Sequence, residues 1–322
     1  MKAIVVHEVG RPEKLLFEEV EEPTPAAGEI QVDVEAAGLN FIDTYHRSGL
    51  YPQSCPFIPG LEGAGTIIGL GEGVSDFEIG QRVGWVSVLG SYAEHHCLPS
   101  DKAIPIPAEL KTDVVAAVLL QGITAHYLAT DTYKIKAGDN CLIHAGSGGV
   151  GLLLTQIAKL KGAHVITTVG SEEKAELSRA AGADDVILYR ENNFKEAVEE
   201  LLGENSLHVV YDGVGAATFN DSLDLLRPRG MMVTFGNASG PVPEIPPLKL
   251  AEKGSVFLTR PTMAHYVQDR SELLARTEDL FNWIAGGDLS VRIGAEFPLA
   301  QAEEAHRALE TRQTVGKVIL RP

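Results

Sequence analysis

From residue 141 onward the sequence repeats one pattern, an apolar run of strand length followed by a longer segment of helical periodicity. The strand-like runs fall at 141–145, 164–169, 185–189, 207–212, 231–235 and 256–259, and helical segments at 150–161, 172–180, 194–202 and 218–226 lie between them. Gly162, Gly182 and Gly203 follow three of those helices where a left-handed C-cap is expected. Such alternation leaves little choice of fold. Parallel strands need crossover helices, and right-handed crossovers repeated along a chain give a doubly wound parallel sheet. The region before it reads differently. Short β-rich pieces at 3–6, 30–36, 65–70, 81–86 and 93–96, punctuated by Gly and Pro, describe an irregular and mostly β domain. Two domains are also what 322 residues lead one to expect. After the alternating region come a helix at 271–285 stopped by Gly286-Gly287, a second near 300–310, and a last strand at 317–320.

The first strand of the alternating region runs into Gly146-Ser147-Gly148-Gly149-Val150-Gly151, which opens a helix. The spacing Gly146-x-Gly148-x-x-Gly151 between a strand and a helix is that of a dinucleotide-binding loop. Glycine lets the backbone approach a pyrophosphate closely, and the unpaired N–H groups at the helix start point at its charge. A tight turn in a ligand-free sheet is the plain alternative. In NAD enzymes an acid at the tip of the second strand holds the ribose hydroxyls. Here that tip reads Val169-Gly170-Ser171, with Lys174 one turn into the helix and Tyr189-Arg190 at the tip of the next strand. A hydroxyl and an ammonium suit a 2′-phosphate, so NADPH is favoured over NADH. The bland reading makes Ser171 a helix N-cap and leaves Lys174 in solvent.

Charge limits the partners. With 44 Asp+Glu against 27 Lys+Arg the net charge is −17, which disfavours an extended polyanion such as nucleic acid. Cys55, Cys97 and Cys141 form no paired pattern, so a reducing, cytoplasmic setting is expected. The first residues carry no apolar signal core, and no stretch is read as approaching the length of a membrane helix. No H-E-x-x-H or H-x-x-H is present, and His95 and His96 point to opposite faces of a strand, so no metal site is expected.

Several runs resemble the quinone oxidoreductase (zeta-crystallin-like) branch of the medium-chain dehydrogenase/reductase superfamily. They are Ala37-Gly38-Leu39-Asn40-Phe41-Ile42-Asp43-Thr44-Tyr45, Arg47-Ser48-Gly49-Leu50-Tyr51-Pro52, Pro59-Gly60-Leu61-Glu62-Gly63, Gln121-Gly122-Ile123-Thr124-Ala125, Val210-Tyr211-Asp212-Gly213-Val214-Gly215, Phe235-Gly236-Asn237-Ala238-Ser239-Gly240 and Leu258-Thr259-Arg260-Pro261-Thr262. The resemblance implies an α/β architecture: a GroES-like β-rich catalytic domain at 1–122, completed by 263–322, with a Rossmann NADP-binding domain at 123–262. It also makes three departures informative. Zinc-dependent relatives have a cysteine where this chain has Asn40 and a histidine where it has Leu61, and their cysteine-rich structural loop is missing between Trp85 and Gly90. A zinc-independent enzyme is therefore implied.

By the same resemblance Asn40, Asp43 and Tyr45 surround the nicotinamide and Tyr51 lines the substrate pocket. Phe41, Ile42, Tyr127, Gly170, Tyr189, Arg312 and the stretch Phe235-Gly236-Asn237 contact the cofactor, with the Thr262-Met263 backbone closing the nicotinamide side. The implied activity is NADPH-dependent reduction of small quinones by a homodimer paired through an edge strand near 256–259. Two rivals stay open, an NADPH-dependent reductase of α,β-unsaturated carbonyl compounds and a non-catalytic NADPH-binding crystallin-like protein. Asn40 and Asp43 as simple turn formers, and Tyr45 and Tyr51 as packing residues, are the plain readings of those positions.

Overall fold

The computed structural model describes the whole chain, Met1–Pro322, and divides it into two units. The first comprises Met1–Ile123, Asp269–Gly286 and Val291–Pro322, and the second Thr124–Gln268 and Gly287–Ser290. The later boundary thus falls at 268/269, where the sequence places it at 262/263.

In chain order the elements are β1 (Lys2–Val5), β2 (Leu16–Glu19), β3 (Glu29–Leu39), α1 (Phe41–Ser48), β4 (Glu62–Leu70), β5 (Arg82–Val86), β6 (His95–Pro99), β7 (Ile104–Pro105) and α2 (Thr112–Tyr127). Then come β8 (Asn140–His144), α3 (Gly149–Leu160), β9 (His164–Val169), α4 (Glu172–Ala180), β10 (Asp185–Leu188), α5 (Phe194–Leu202), β11 (Leu207–Asp212), α6 (Phe219–Leu225), β12 (Leu226–Thr234), α7 (Pro247–Glu252) and β13 (Phe257–Thr259). The chain closes with α8 (Arg270–Gly286), β14 (Ile293–Pro298), α9 (Ala302–Glu310) and β15 (Lys317–Arg321).

The second unit is a six-stranded sheet in the order β10-β9-β8-β11-β12-β13, parallel throughout. Chain order within the sheet reverses at β8, the first strand, and in such sheets ligands bind beyond the strand tips at that switch point. Strands covered on both faces read as unbroken apolar runs. Cys141, Leu142, Val165, Ile166, Val209 and Val210 are accordingly all fully buried.

In the first unit β14-β15-β3-β4-β5-β7 form one sheet, with β6 also paired to β3. The long strand β3 serves two cores. Ile30, Val32 and Val34 pack with Ile67, Val83, Trp85 and Leu98, whereas Ala37 and Leu39 pack with Ile4, Tyr92, Val318 and Leu320. The parity changes because Val34 pairs with Gly65 and Ala36 with Ala64, so one residue is inserted and the side chains beyond it face the other way. That switch aims Leu39 into the second core and delivers Asn40 to the head of α1.

Three helices were not read from the sequence: α1, α2 and the six-residue α7 after Pro246. α1 is short and rich in residues with mixed preferences, and α2 is apolar all round and lacks a helical stripe. The latter also corrects the membrane expectation: the helical stretch Thr112–Thr132 is long and apolar enough, by length and composition, to cross a bilayer, but 78% of its most apolar window is buried inside the protein.

Candidate active site

In the second unit the turn after β8 is tight. Ala145 adopts a left-handed φ of 55°, Gly146 N donates to Thr168 O at 3.0 Å, and Gly148 N donates to Ala145 O at 2.9 Å. A Cβ on Gly151 would lie 2.3 Å from Ala145 O, so this first turn of α3 can pack against the loop only without a side chain. α3 starts at Gly149 with Gly148 as an N-cap that has no capping side chain. The first N–H groups of the helix therefore face outward without intrahelical partners, the arrangement that holds a phosphate. Behind the loop, His144 bridges the hydroxyls of Thr168 and Ser222, at 2.9 Å each, and Thr167 meets Ser178 at 2.7 Å. Burial holds the His144 ring neutral.

The tips of the neighbouring strands complete this end of the sheet. Ser171 stands at the N-cap of α4 in extended geometry, the position the bland reading gives it, but its side chain makes no capping hydrogen bond. A Cβ on Gly170 would sit 2.8 Å from the Tyr189 hydroxyl and 3.5 Å from Arg190 Nε, which brings the tips of β9 and β10 into one cluster. At the tip of β11 the buried Asp212 accepts from Val214 N at 2.7 Å, Gly215 N at 3.0 Å and Thr218 Oγ1 at 2.8 Å. Phe235 N donates to Asp212 O at 2.8 Å, and the Phe235 ring lies against Gly213. Gly236 sits so close to Gly213 that a Cβ would be 2.3 Å from its carbonyl, and Asn237 turns the chain by accepting from Gly240 N. Tyr127 stacks on Tyr266 with ring centroids 4.1 Å apart, a partner sequence reasoning did not find. Thr262 precedes a single helical turn, Met263–His265, in the same unit.

The first unit holds the other residues singled out in the sequence. Asn40 is buried at the N-cap of α1. Its Nδ2 donates to Gly38 O at 3.1 Å and Glu62 Oε2 at 2.8 Å, and its Oδ1 accepts from Lys317 Nζ at 2.8 Å. Glu62 is fully buried, ion-paired to Lys317, and accepts from Leu120 N at 2.7 Å. A Cβ on Gly38 would fall 2.3 Å from Glu62 Oε2, so glycine at this point of the Ala37-Gly38-Leu39-Asn40 run makes room for the carboxylate. Asp43, in the first turn of α1, accepts from Asn40 N at 2.8 Å, as a capping carboxylate does, and from the Tyr92 hydroxyl at 3.0 Å. Burial pushes its pKa up to about 7. Both turn-former readings are thus half met: Asp43 caps locally, but Asn40 reaches 277 residues along the chain to Lys317.

Tyr45 and Tyr51 are half-buried and meet edge to face at 5.2 Å, with Phe41 6.3 Å from Tyr45. Ile42 is half-buried on the same turn. Arg312, at the end of α9, is exposed and has a left-handed φ of 61°. No group of three or more His, Cys, Asp or Glu side chains is arranged to hold a metal ion.

Comparison with known proteins finds a match in each part of the chain. Residues 26–108 match the alcohol dehydrogenase GroES-like domain, and residues 149–277 match the zinc-binding dehydrogenase domain. The chain is 42% identical to the quinone oxidoreductase of Pseudomonas aeruginosa, over 97% of each. It is 40% identical to a 2-haloacrylate reductase of Burkholderia, over 99% of this chain and 98% of that one. Its fold superposes on the crystal structure of Escherichia coli quinone oxidoreductase complexed with NADPH with a TM-score of 0.98, at 43% identity over the full length of both. A glycine cradle of this kind, the Asn40–Asp43 turn and that degree of likeness along the whole length place the chain in the quinone oxidoreductase family of the medium-chain dehydrogenases/reductases.

Proposed function

We propose that this protein is an NADPH-dependent reductase of small quinones that works without zinc. One observation carries the metal-free part. Glu62 has its carboxylate taken up by the Lys317 ammonium, the Asn40 amide and the Leu120 N–H, so the position that serves a cation in zinc-dependent relatives is filled by an internal one. The NADPH complex of the E. coli relative supports the cofactor, and the cradle formed by Gly146, Gly148, Gly149, Val150 and Gly151 suits its pyrophosphate.

Bound NADPH supplies the hydride, and the chain must hold the nicotinamide and acceptor in register and keep water out. In this reading Gly170, Ser171, Lys174 and Tyr189 take the 2′-phosphate end. Tyr127, Phe235, Gly236, Asn237, Thr262, Met263 and Arg312 contact the rest of the cofactor with Phe41 and Ile42. Asn40, Asp43 and Tyr45 face the reacting ring, and Tyr51 lines the acceptor site. The acceptor oxygen gains negative charge as reduction proceeds, so donors fixed beforehand by buried partners stabilise it better than solvent does.

A second reading, reduction of the activated double bond of an α,β-unsaturated acid or carbonyl, is favoured by the 2-haloacrylate reductase relative. Steady-state NADPH oxidation decides between them. Turnover with 1,4-benzoquinone well above that with 2-alkenals or 2-haloacrylate is expected, and the reverse preference overturns the quinone reading.

The same proposal places the protein in the cytoplasm, where its three free cysteines stay reduced. It assigns no nucleic-acid or membrane partner to a chain of net charge −17. It also makes the protein a homodimer through β13, the sheet edge, where Phe257 is 56% exposed. Light scattering should then return about twice the 34.5 kDa chain mass.

A further inference from the structure

A second buried polar chain leads away from Asp43, and nothing in the reaction scheme uses it. Arg47, one turn along α1, donates from Nη1 to His306 Nδ1 at 3.2 Å. It also grips Glu310 with both terminal nitrogens, at 3.2 and 2.6 Å, and reaches Gly10 O from Nε at 3.1 Å. A guanidinium can only donate, so Nδ1 of His306 is an acceptor and Nε2 carries the hydrogen. That N–H faces the Tyr92 hydroxyl at 3.3 Å, and the hydroxyl in turn donates to Asp43 Oδ2 at 3.0 Å. Every member has one available direction. The Tyr92 and His306 side chains are fully buried and stacked edge to face at 5.9 Å, which leaves neither ring room to turn.

We propose that Tyr92 and His306 are positioning residues for the reduction: the donor chain from Arg47 through His306 and Tyr92 fixes the Asp43 carboxyl and, through it, the Asn40 turn. This rests on the reading of Asn40 and Asp43 as residues of the reaction site.

Charge balance supports the arrangement. The groups around Asp43 are Glu62 and Lys317 from β4 and β15, Tyr92, His306 from α9 and Arg47 of its own helix. Lys317 is paired with Glu62 and Arg47 with Glu310, so no cation is left over for Asp43. Oδ2 accepts from both Asn40 N and Tyr92, while Oδ1 is buried with no hydrogen-bond partner. With no cation left over, burial favours the neutral acid and raises the pKa of this carboxyl to about 7. Losing the Tyr92 hydroxyl removes a donor to the charged form, so the carboxyl should hold its proton to higher pH. A neutral His306 beside Arg47 is consistent with its pKa, which burial and the guanidinium push down to about 3.

The test uses Tyr92→Phe, His306→Leu and His306→Gln in the full-length chain. Glutamine can accept from Arg47 through its oxygen and donate to Tyr92 through its nitrogen. Two readouts are followed against pH, the infrared carbonyl band of the buried acid, identified by its loss in Asp43→Asn, and kcat with NADPH and 1,4-benzoquinone. Tyr92→Phe and His306→Leu should move the carboxyl titration to higher pH and lower kcat about ten- to a hundredfold with NADPH affinity unchanged. His306→Gln should restore both. If the carboxyl titration and the pH profile stay in place in Tyr92→Phe and His306→Leu, the proposal is overturned, whatever happens to their melting temperatures. Should Tyr92→Phe not fold, the His306 pair decides alone. A wild-type chain inactive towards quinones would sink the functional reading, and the infrared titration would still decide whether this donor chain governs Asp43.

Discussion

The glycine loop after β8 and the polar turn at the head of α1 are built in opposite ways. The loop is made of backbone from one stretch, Gly146 to Gly151, and its chemistry comes from N–H groups that any residue would carry if it fitted. The turn is made of side chains gathered from the N-cap and first turn of α1, β4, β15, α9 and the segment around Tyr92, each buried and each dependent on the next. A backbone site is broken by added bulk and tolerates most changes elsewhere. A side-chain cluster is broken by removing any one partner, because the charge or donor left behind is stranded out of water.

The largest effect should come from stranding a charge. Lys317→Met leaves Glu62 buried without its cation and should cost about 3–5 kcal/mol in urea unfolding. Adding Glu62→Gln should recover much of that, whereas a loss no greater than a surface substitution would show that the pair contributes nothing. Acid titration comes next. The unfolded chain binds protons on histidine below about pH 6.5, but burial pushes His96 down to about 4 and His306 down to about 3 in the folded protein. Stability should therefore fall as pH drops through that window, and His306→Gln should flatten part of the slope. Asp43 acts with the opposite sign: the folded protein keeps its proton up to about 7 while the unfolded chain releases it near 3.8, so its contribution falls as pH rises between those values. Asp43→Asn should remove that component from a pH series of unfolding midpoints.

The loop should respond to bulk instead. Gly151→Ala puts a methyl group against Ala145 O and should weaken NADPH binding roughly tenfold or more by fluorescence titration, with quinone turnover at saturating NADPH affected less. Smallest of all, Ser171→Ala and Lys174→Ala should each weaken NADPH by up to about tenfold and leave NADH unchanged. Equal effects on both cofactors would refute the 2′-phosphate assignment.

The same contrast explains what the sequence disclosed. Strand-helix alternation is local, and β9, α4, α5 and β11 lie where periodicity puts them. The glycine spacing is local too, so the tight turn between β8 and α3 was legible. Asn40 and Asp43 were singled out only through resemblance, and the contacts that hold them were not read at all. Nothing in the run Gly316-Lys317-Val318 marks Lys317 as the mate of Glu62, 255 residues away, and His306 looks like an ordinary residue of an amphipathic helix. Those contacts exist because β15 pairs with β3 and β3 with β4, and sheet pairing at long range is what a single sequence hides. The inserted residue at 35 was equally invisible, though it decides which core Leu39 enters.

The central claim is a division of labour, with NADPH held by the glycine loop and its strand tips and quinone reduction governed by the Asn40–Asp43 turn. It is tested most directly by one paired measurement on Asn40→Ala, NADPH affinity by fluorescence and NADPH oxidation with 1,4-benzoquinone on the same folded preparation. The account predicts affinity within about twofold of wild type and turnover lowered about a hundredfold. Unchanged turnover, or affinity and turnover lost together, would contradict it.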